Sequence, residues 1–559
     1  MIITLVQMDS VIGDFGGNAR RIVELARKAL EKGGTAEPPD LIVFPELALC
    51  GYPPMDLLDQ EAFIEGSLSA LRLLQKELPG RAAVAVGYVD RNRTGSGRAL
   101  VNAFSVIAEG KIVFTQEKTL LPTYDVFDEA RYFEPARTRK VFTPPFGRIG
   151  FAICEDFWWE APPSPSFKYA IDPVKDLLDS GIDLLIVPSA SPFVAGKLKT
   201  RLRLARSTAL QGHIPVLYCN AVGANDSLVF DGRSFAMNPK GEVTAICGWD
   251  EALLGVDTDT MTQAAMQPPD DAVEEIHQSL IVGIRDYLRK SGFSKACLGL
   301  SGGIDSAIVA VLAAEALGAE NITCITMPSR FSSEGSVNDS IELCRIAGIR
   351  LERLSIEAPF SAYLDLLSIP FAGRPFDLAE ENLQARIRGT LLMAWSNKFN
   401  ALLLTTGNKS EIAAGYCTLY GDMCGALAPI GDLYKTEVYA LARHLNALAA
   451  ASGKPGPIPL PVIDKAPSAE LRLNQKDQDS LPEYGLLDAI LRLYIEENAS
   501  FEEIAAQGFD RSVVRKILGL TARAEYKRRQ AAPVIKVSKR AFGIGRRLPL
   551  ARHIHETGD

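Results

Sequence analysis

From Ala296 the chain passes from a short apolar run, through Gly299-Leu300-Ser301-Gly302-Gly303-Ile304-Asp305-Ser306, directly into a helical pattern. A strand that ends in a glycine turn and feeds a helix begins a β-loop-α unit, and repeated units of this kind assemble into a parallel sheet. The unit repeats here. Helix is expected over 272–291, 304–315, 336–347 and 380–397, with strands over 296–298, 322–326, 350–354 and 401–405. The alternation predicts a doubly wound parallel sheet whose ligands sit at the C-terminal ends of its strands. The glycine loop lies at such an end. Its paired glycines let backbone N–H groups approach an anion where a helix begins, and Ser301 and Ser306 add hydroxyls. Asp305 is a candidate ligand for the metal ion that accompanies nucleotide phosphates. The Gly-Lys-Ser/Thr ending of a Walker A loop is absent.

The first half reads differently. Short β-type runs are expected at Ile2–Gln7, Leu41–Phe44, Val84–Val89, Phe104–Ile107, Lys111–Thr115, Gly150–Ile153, Leu184–Val187 and Val216–Tyr218. An amphipathic helix carries Ile22, Leu25, Ala26, Ala29 and Leu30 and is expected to end at Gly33-Gly34. Many strands for few helices predict a layered sandwich. The polar, proline-containing run at 261–272 reads as a linker, which gives domains at 1–260 and 273–559. The stretch 449–479 is polar and proline-rich, hence loop-like, and helices are expected to resume near Leu486.

A length of 559 residues calls for at least two cores. The net charge of −8 argues against nucleic acid or an anionic membrane as partner. Nine cysteines without CxxC pairing fit a reducing compartment. With no signal-like leader and no apolar run of membrane-spanning length, a cytoplasmic protein is expected.

Three clusters in the first half put a reactive residue at or just after a strand end: Phe44-Pro45-Glu46, Lys118-Thr119-Leu120-Leu121-Pro122 and Ile153-Cys154-Glu155-Asp156-Phe157-Trp158. In this order they resemble the Glu-Lys-Cys triad of the nitrilase superfamily, whose members hydrolyse carbon–nitrogen bonds and fold as αββα sandwiches. The resemblance implies Cys154 as nucleophile, Glu46 as general base, Lys118 as oxyanion donor and Glu129 as the glutamate that orients the site; no metal is needed. It further implies that Tyr124, Ser191 and Lys197 hold a glutamine substrate.

The glycine loop, Gly299 to Ser306, resembles the pyrophosphate loop of the N-type ATP pyrophosphatases, which cleave ATP between its α and β phosphates. Further motifs follow it: Asn382-Leu383-Gln384-Ala385-Arg386, whose helical spacing puts Asn382, Ala385 and Arg386 on one side; Thr405-Thr406-Gly407-Asn408-Lys409-Ser410-Glu411; Tyr420-Gly421-Asp422; Pro429 to Thr436; Pro467-Ser468-Ala469-Glu470-Leu471; and Glu525-Tyr526-Lys527-Arg528. This ordered set resembles the NAD synthetases, and with the amidase-like half in front the chain is similar to the glutamine-dependent NAD synthetases of bacteria. That resemblance implies an ATP site at Gly299, Leu300, Ser301, Gly302, Gly303, Ile304, Asp305, Ser306 and Thr406. It implies a deamido-NAD site at Asn382, Glu411 and Lys527, and magnesium on Asp305 and Glu411. It also implies L-glutamine as nitrogen donor, a tunnel for ammonia and a homo-oligomer. A different ATP-pyrophosphatase amidotransferase should lack the Thr406–Glu411 and Pro467–Glu470 stretches. A silent, non-enzymatic relative should have lost Glu46, Lys118, Cys154 or Asp305, and all four are present.

Overall fold

The computed structural model describes residues 1–32, 37–161, 168–261, 271–473 and 475–557. Gly33-Gly34 and positions 262–270 of the expected linker lie outside the described residues. The chain divides into two compact units, Met1–Asp270 and Asp271–Asp559. The helix expected over 272–291 does begin at Ala272, so that residue belongs to the helix and not to the linker.

In the first unit one six-stranded sheet contains β1 (Ile2–Gln7), β2 (Leu41–Val43), β3 (Ala83–Arg91), β4 (Leu100–Ala108) and β5 (Lys111–Glu117). The other contains β6 (Val141–Phe142), β7 (Ile149–Phe151), β8 (Leu184–Ser189), β9 (Val216–Asn220), β12 (Phe235–Met237) and β13 (Val243–Ile246). The short hairpin β10 (Val222–Asn225) and β11 (Leu228–Asp231) stands apart, and β14 (Ala252–Asp257) returns to pair antiparallel with β1. Period-two alternation builds three apolar layers. Leu41, Val43, Ala85, Phe104, Phe151, Ile186 and Leu217 pack between the sheets. Ile42, Val84 and Val86 face helices α1 (Phe15–Lys32) and α2 (Glu61–Glu77). On the opposite side Leu185, Val187 and Val216 face α3 (Pro173–Asp179) and α4 (Lys197–Gly212). The product is an αββα sandwich.

The second unit holds four parallel strands, β15 (Ala296–Gly299), β16 (Ile322–Thr326), β17 (Arg350–Arg353) and β18 (Leu402–Leu404), in the order β17-β16-β15-β18. Helices α5 (Ala272–Lys290), α6 (Ile304–Leu317), α7 (Glu334–Ala347), α8 (Glu357–Leu367), α9 (Leu378–Phe399), α10 (Lys409–Ala414) and α11 (Lys435–Ala451) surround the sheet. The direction of winding reverses between β15 and β18, so the loops that follow these two strands flank the crevice where such folds bind ligands. They are the glycine loop and the Thr405–Asn408 loop. The stretch 449–479 is not all loop. Apolar Leu460-Pro461-Val462-Ile463 forms a short helix, α12 (Leu460–Asp464), opened by proline at its start and anchored by buried Val462 and Ile463. Beyond it α13 (Tyr484–Ile495), α14 (Phe501–Ala505) and α15 (Arg511–Arg523) share a core with α10, and α16 (Glu525–Arg528) follows.

Candidate active sites

In the first unit Glu46 follows the strand-like run 41–44, Lys118 follows β5, and Cys154 opens a 3-10 turn after β7. The Lys118 ammonium lies 2.7 Å from Glu46 Oε1 and 2.8 Å from Glu129 Oε1, and all three side chains are buried. Two donors further fix Glu46: Asn102 Nδ2 to Oε1 at 2.8 Å and the Ala190 amide to Oε2 at 3.0 Å. Tyr52 donates to Glu129 at 2.8 Å.

One ammonium between two buried carboxylates leaves a negative excess, which a carboxylate relieves by holding its proton more tightly. Burial raises Glu129 to about 7, with Glu46 adding to the push and Lys118 opposing it. Burial works against the Lys118 charge, but Glu129 and Glu46 outweigh it and hold its pKa well above the usual lysine range. The Cys154 thiol is pushed well up, first by burial and then by Glu46, with Lys118 opposing. It therefore rests as a thiol and needs a base at the moment of attack. Its backbone is left-handed, φ +46°, a strained conformation for a residue with a side chain.

The residues read as glutamine-binding take up definite positions. Tyr124 donates to Glu155 at 2.9 Å, and Tyr169 shares the same carboxylate. Ser191 Oγ accepts from the buried Arg201 at 3.3 Å. Lys197, the first residue of α4, donates to the Pro192 carbonyl at 3.0 Å and lies over the Trp158 ring.

In the second unit the glycine loop is held by its own serines. Ser306 Oγ donates to the Gly303 carbonyl at 3.0 Å and accepts from the Ser301 amide at 3.2 Å, while the Gly303 amide donates to Ser301 Oγ at 3.2 Å. Gly302 has φ +78°, and a Cβ there would stand 2.2 Å from the Ser336 carbonyl oxygen. That turn of α7 is in turn clasped by Glu470, which accepts from the hydroxyls of Ser333 and Ser336, both at 2.8 Å. Leu300 is buried under the loop, and Ile304 starts α6.

Asp305, in the first turn of α6, accepts from Asn408 Nδ2 at 2.8 Å and pairs with Lys435 Nζ at 2.5 Å. Lys435 also pairs with Glu411 at 3.1 Å. Burial pushes Glu411 up to about 8, with Lys435 opposing and the like charge of Asp305 adding. For Lys435, burial is outweighed by Asp305 and Glu411, which hold the ammonium charged. Two carboxylates crowded at the start of two helices offer hard oxygen donors and a residual repulsion, which fits a divalent cation such as magnesium. Asn382 and Lys527 meet on the segment after α10: Asn382 Oδ1 accepts from Thr418 at 2.8 Å, and Lys527 donates to the carbonyls of Gly415 and Cys417, both at 2.7 Å. On the same side of α9 as Asn382, Arg386 donates to the Leu419 carbonyl at 3.2 Å. Thr406 lies in the loop after β18, beside the crevice.

Comparison with known proteins ties both halves together. The chain matches the carbon–nitrogen hydrolase family over residues 2–266 and the NAD synthase family over 276–531. A glutamine-dependent NAD(+) synthetase of Synechocystis sp. is 45% identical, with 100% of this chain and 99% of that protein covered. The chain belongs to the glutamine-dependent NAD(+) synthetase family. Among solved structures, a glutamine-dependent NAD+ synthetase of Acinetobacter baumannii, in complex with ADP, aligns at TM-score 0.77 and 37% identity over 98% of each chain. One from Cytophaga hutchinsonii shares the fold at TM-score 0.83 with 20% identity, covering 100% of this chain and 99% of that one.

Several residues around the two sites of this synthetase-family chain escape sequence reading. Asp156 stands two residues after Cys154 in a motif already singled out, yet its role is visible only in space. Its Oδ1 accepts from the Thr119 and Leu120 amides at 3.0 and 2.6 Å and its Oδ2 from the Ile153 amide at 3.1 Å, so it ties the cysteine turn to the lysine segment. Asn102 lies inside β4, where nothing marks a single polar residue as different from a solvated one. Lys435 sits in the Pro429–Thr436 motif, and only the packing of α11 on α6 brings it to Asp305. Among the described residues no helix is long and apolar enough to cross a membrane.

Proposed function

We propose that the chain makes NAD from deamido-NAD, ATP and L-glutamine, releasing AMP, pyrophosphate and glutamate. The observation that carries this reading is the presence of two complete polar constellations, Glu46–Lys118–Glu129 beside Cys154 and Asp305–Lys435–Glu411 beside the glycine loop, in a chain matched along its whole length by relatives of that name.

In the first unit Cys154 attacks the side-chain amide carbon of glutamine while Glu46 takes the thiol proton. Two of the three Lys118 N–H bonds point to carboxylates, and the third is left to steady the oxyanion. Glu46 returns the proton to the leaving ammonia, and water then hydrolyses the thioester to glutamate. Tyr124, Ser191 and Lys197 hold the glutamine.

In the second unit the pyridine carboxylate of deamido-NAD is a poor electrophile until one of its oxygens becomes part of a leaving group. That oxygen attacks the α-phosphorus of ATP, pyrophosphate departs onto the N–H groups of Gly299–Ser306, and ammonia displaces AMP from the acyl adenylate. Lys435 places positive charge beside the phosphates, Thr406 contacts ATP, and Asn382, Glu411 and Lys527 hold the dinucleotide. Magnesium on Asp305 and Glu411 would offset phosphate charge. The ADP bound by the Acinetobacter baumannii relative supports a nucleotide here.

Ammonia is mostly protonated in neutral water and then cannot attack. Passage through an internal tunnel keeps it reactive. Nine free cysteines fit action in a reducing cytoplasm, and a homo-oligomer follows from the family resemblance. The test is to supply deamido-NAD, ATP and magnesium with amide-15N glutamine. Labelled NAD with one AMP and one glutamate per turnover is expected; NAD without AMP would sink the adenylate route.

A further inference from the structure

Helices α6 and α11 both start at the glycine-loop end, where Asp305 meets Lys435. About 15 Å further along them, at 1.5 Å per residue, stand Glu315 on α6 and His444 on α11. Helix α5 adds Glu274 and His277, which share a face at i, i+3 spacing. His277 Nε2 lies 2.9 Å from Glu315 Oε2, His444 Nε2 lies 2.8 Å from Glu274 Oε2, and the two imidazoles meet edge to face with centroids 5.7 Å apart. Glu274, His277 and His444 each bring one potential ligand atom within 4.8 Å of those of the other two. The chain has only five histidines, so two in one cluster are not a by-product of abundance.

A second observation concerns His277 alone. It is 2% exposed, and its Nδ1 has no hydrogen-bond partner among the described residues. With the Nε2 proton given to Glu315, Nδ1 is a bare lone pair removed from water, which costs free energy unless something accepts it. A metal ion does so. The Nε2–H then held by Glu315 is the carboxylate–histidine arrangement that orients imidazole ligands. The Glu274 and Glu315 side chains are 30% and 45% exposed, which gives an ion a route in.

We propose that Glu274, His277 and His444 bind one divalent transition-metal ion, with zinc as the type, and that Glu315 orients His277. Two imidazoles and a carboxylate select such an ion over magnesium, which prefers oxygen alone. The ion joins α5 to α11 at the end remote from the glycine loop, and α6 is tied in through Glu315. It is a structural tie that takes no part in the phosphate chemistry.

The test uses the full chain, stripped with chelator and titrated with cobalt(II) and then zinc(II). Expected are one cobalt per chain with visible d–d absorption, displacement by one equivalent of zinc, and a rise in Tm. His444→Gln and Glu274→Gln, checked for folding by circular dichroism, should each weaken binding at least about tenfold, since even indirect partners of a metal are worth that much. A His553→Gln/His555→Gln double variant, outside the cluster, should titrate like the parent. Absence of stoichiometric binding would overturn the proposal. So would binding that is unchanged in whichever of His444→Gln and Glu274→Gln is folded.

Discussion

Lys118 and Asp156 organise the buried cluster of the first unit between them: the lysine gathers Glu46 and Glu129, and the aspartate fastens the lysine segment to the cysteine turn. An amide in place of the carboxylate leaves one acceptor where three backbone donors converge, and it turns an NH2 toward an N–H. Asp156→Asn should therefore destabilise the chain by about 1–3 kcal/mol. It should also lower glutamine-dependent turnover by about 100-fold through misplacement of Cys154, and leave ammonium-dependent turnover intact. Urea unfolding and paired assays with the two nitrogen sources check both effects. Glu129 supplies a pH dependence. Its carboxyl is raised from 4.5 to about 7 by burial, so between these values the folded chain holds a proton that the unfolded chain has lost. The proton count is lower in the unfolded state, and stability falls as pH rises through that window, by on the order of 1.4 kcal/mol for each step of one in pH. Measured from pH 5 to 8, the stability of the parent relative to Glu129→Gln should decline; a flat difference would contradict this. The positions of Glu46, Lys118 and Cys154 after strand ends were legible in the sequence, because each closes an apolar run in a recognisable cluster. Asn102 and Lys435 were not, because their partners lie 56 and 130 residues away in the chain.

The elements were legible to the extent that their periodicity is local. The β-loop-α repeats of the second unit follow from apolar spacing, and so do the long strands and α1 of the first. Strands β10 to β13 are short, and their pairing depends on neighbours that no local pattern names; α12 is hidden by prolines that also signal loops. Two glycines show how an element positions a site. On β3, a Cβ at Gly87 would stand 2.3 Å from the Leu47 amide nitrogen, directly against the residue after Glu46. At Gly302 the obstruction is the Ser336 carbonyl, and φ is positive besides. Gly87→Ala should abolish NAD formation from glutamine while formation from ammonium continues. Gly302→Ala should abolish formation from both sources and leave the glutaminase working. Assays of glutamate release and NAD formation separate the two, and identical behaviour of the variants would contradict the assignment of one glycine to each site.

At the scale of the whole molecule, two units with separate cores match two families, a carbon–nitrogen hydrolase and an NAD synthase, and the proposed function gives the first the release of ammonia and the second its consumption. On the proposed function the amidase-like unit needs only glutamine and water, and the synthetase unit uses ammonia whether glutamine or added ammonium supplies it. The most direct measurement is NAD and AMP formation by Cys154→Ala with deamido-NAD, ATP and magnesium, supplied in turn with glutamine and with ammonium. Two separate chemistries require no NAD from glutamine and near-parental NAD, with matching AMP, from ammonium; loss of both in a folded variant, or retention of glutamine-dependent synthesis, would contradict them.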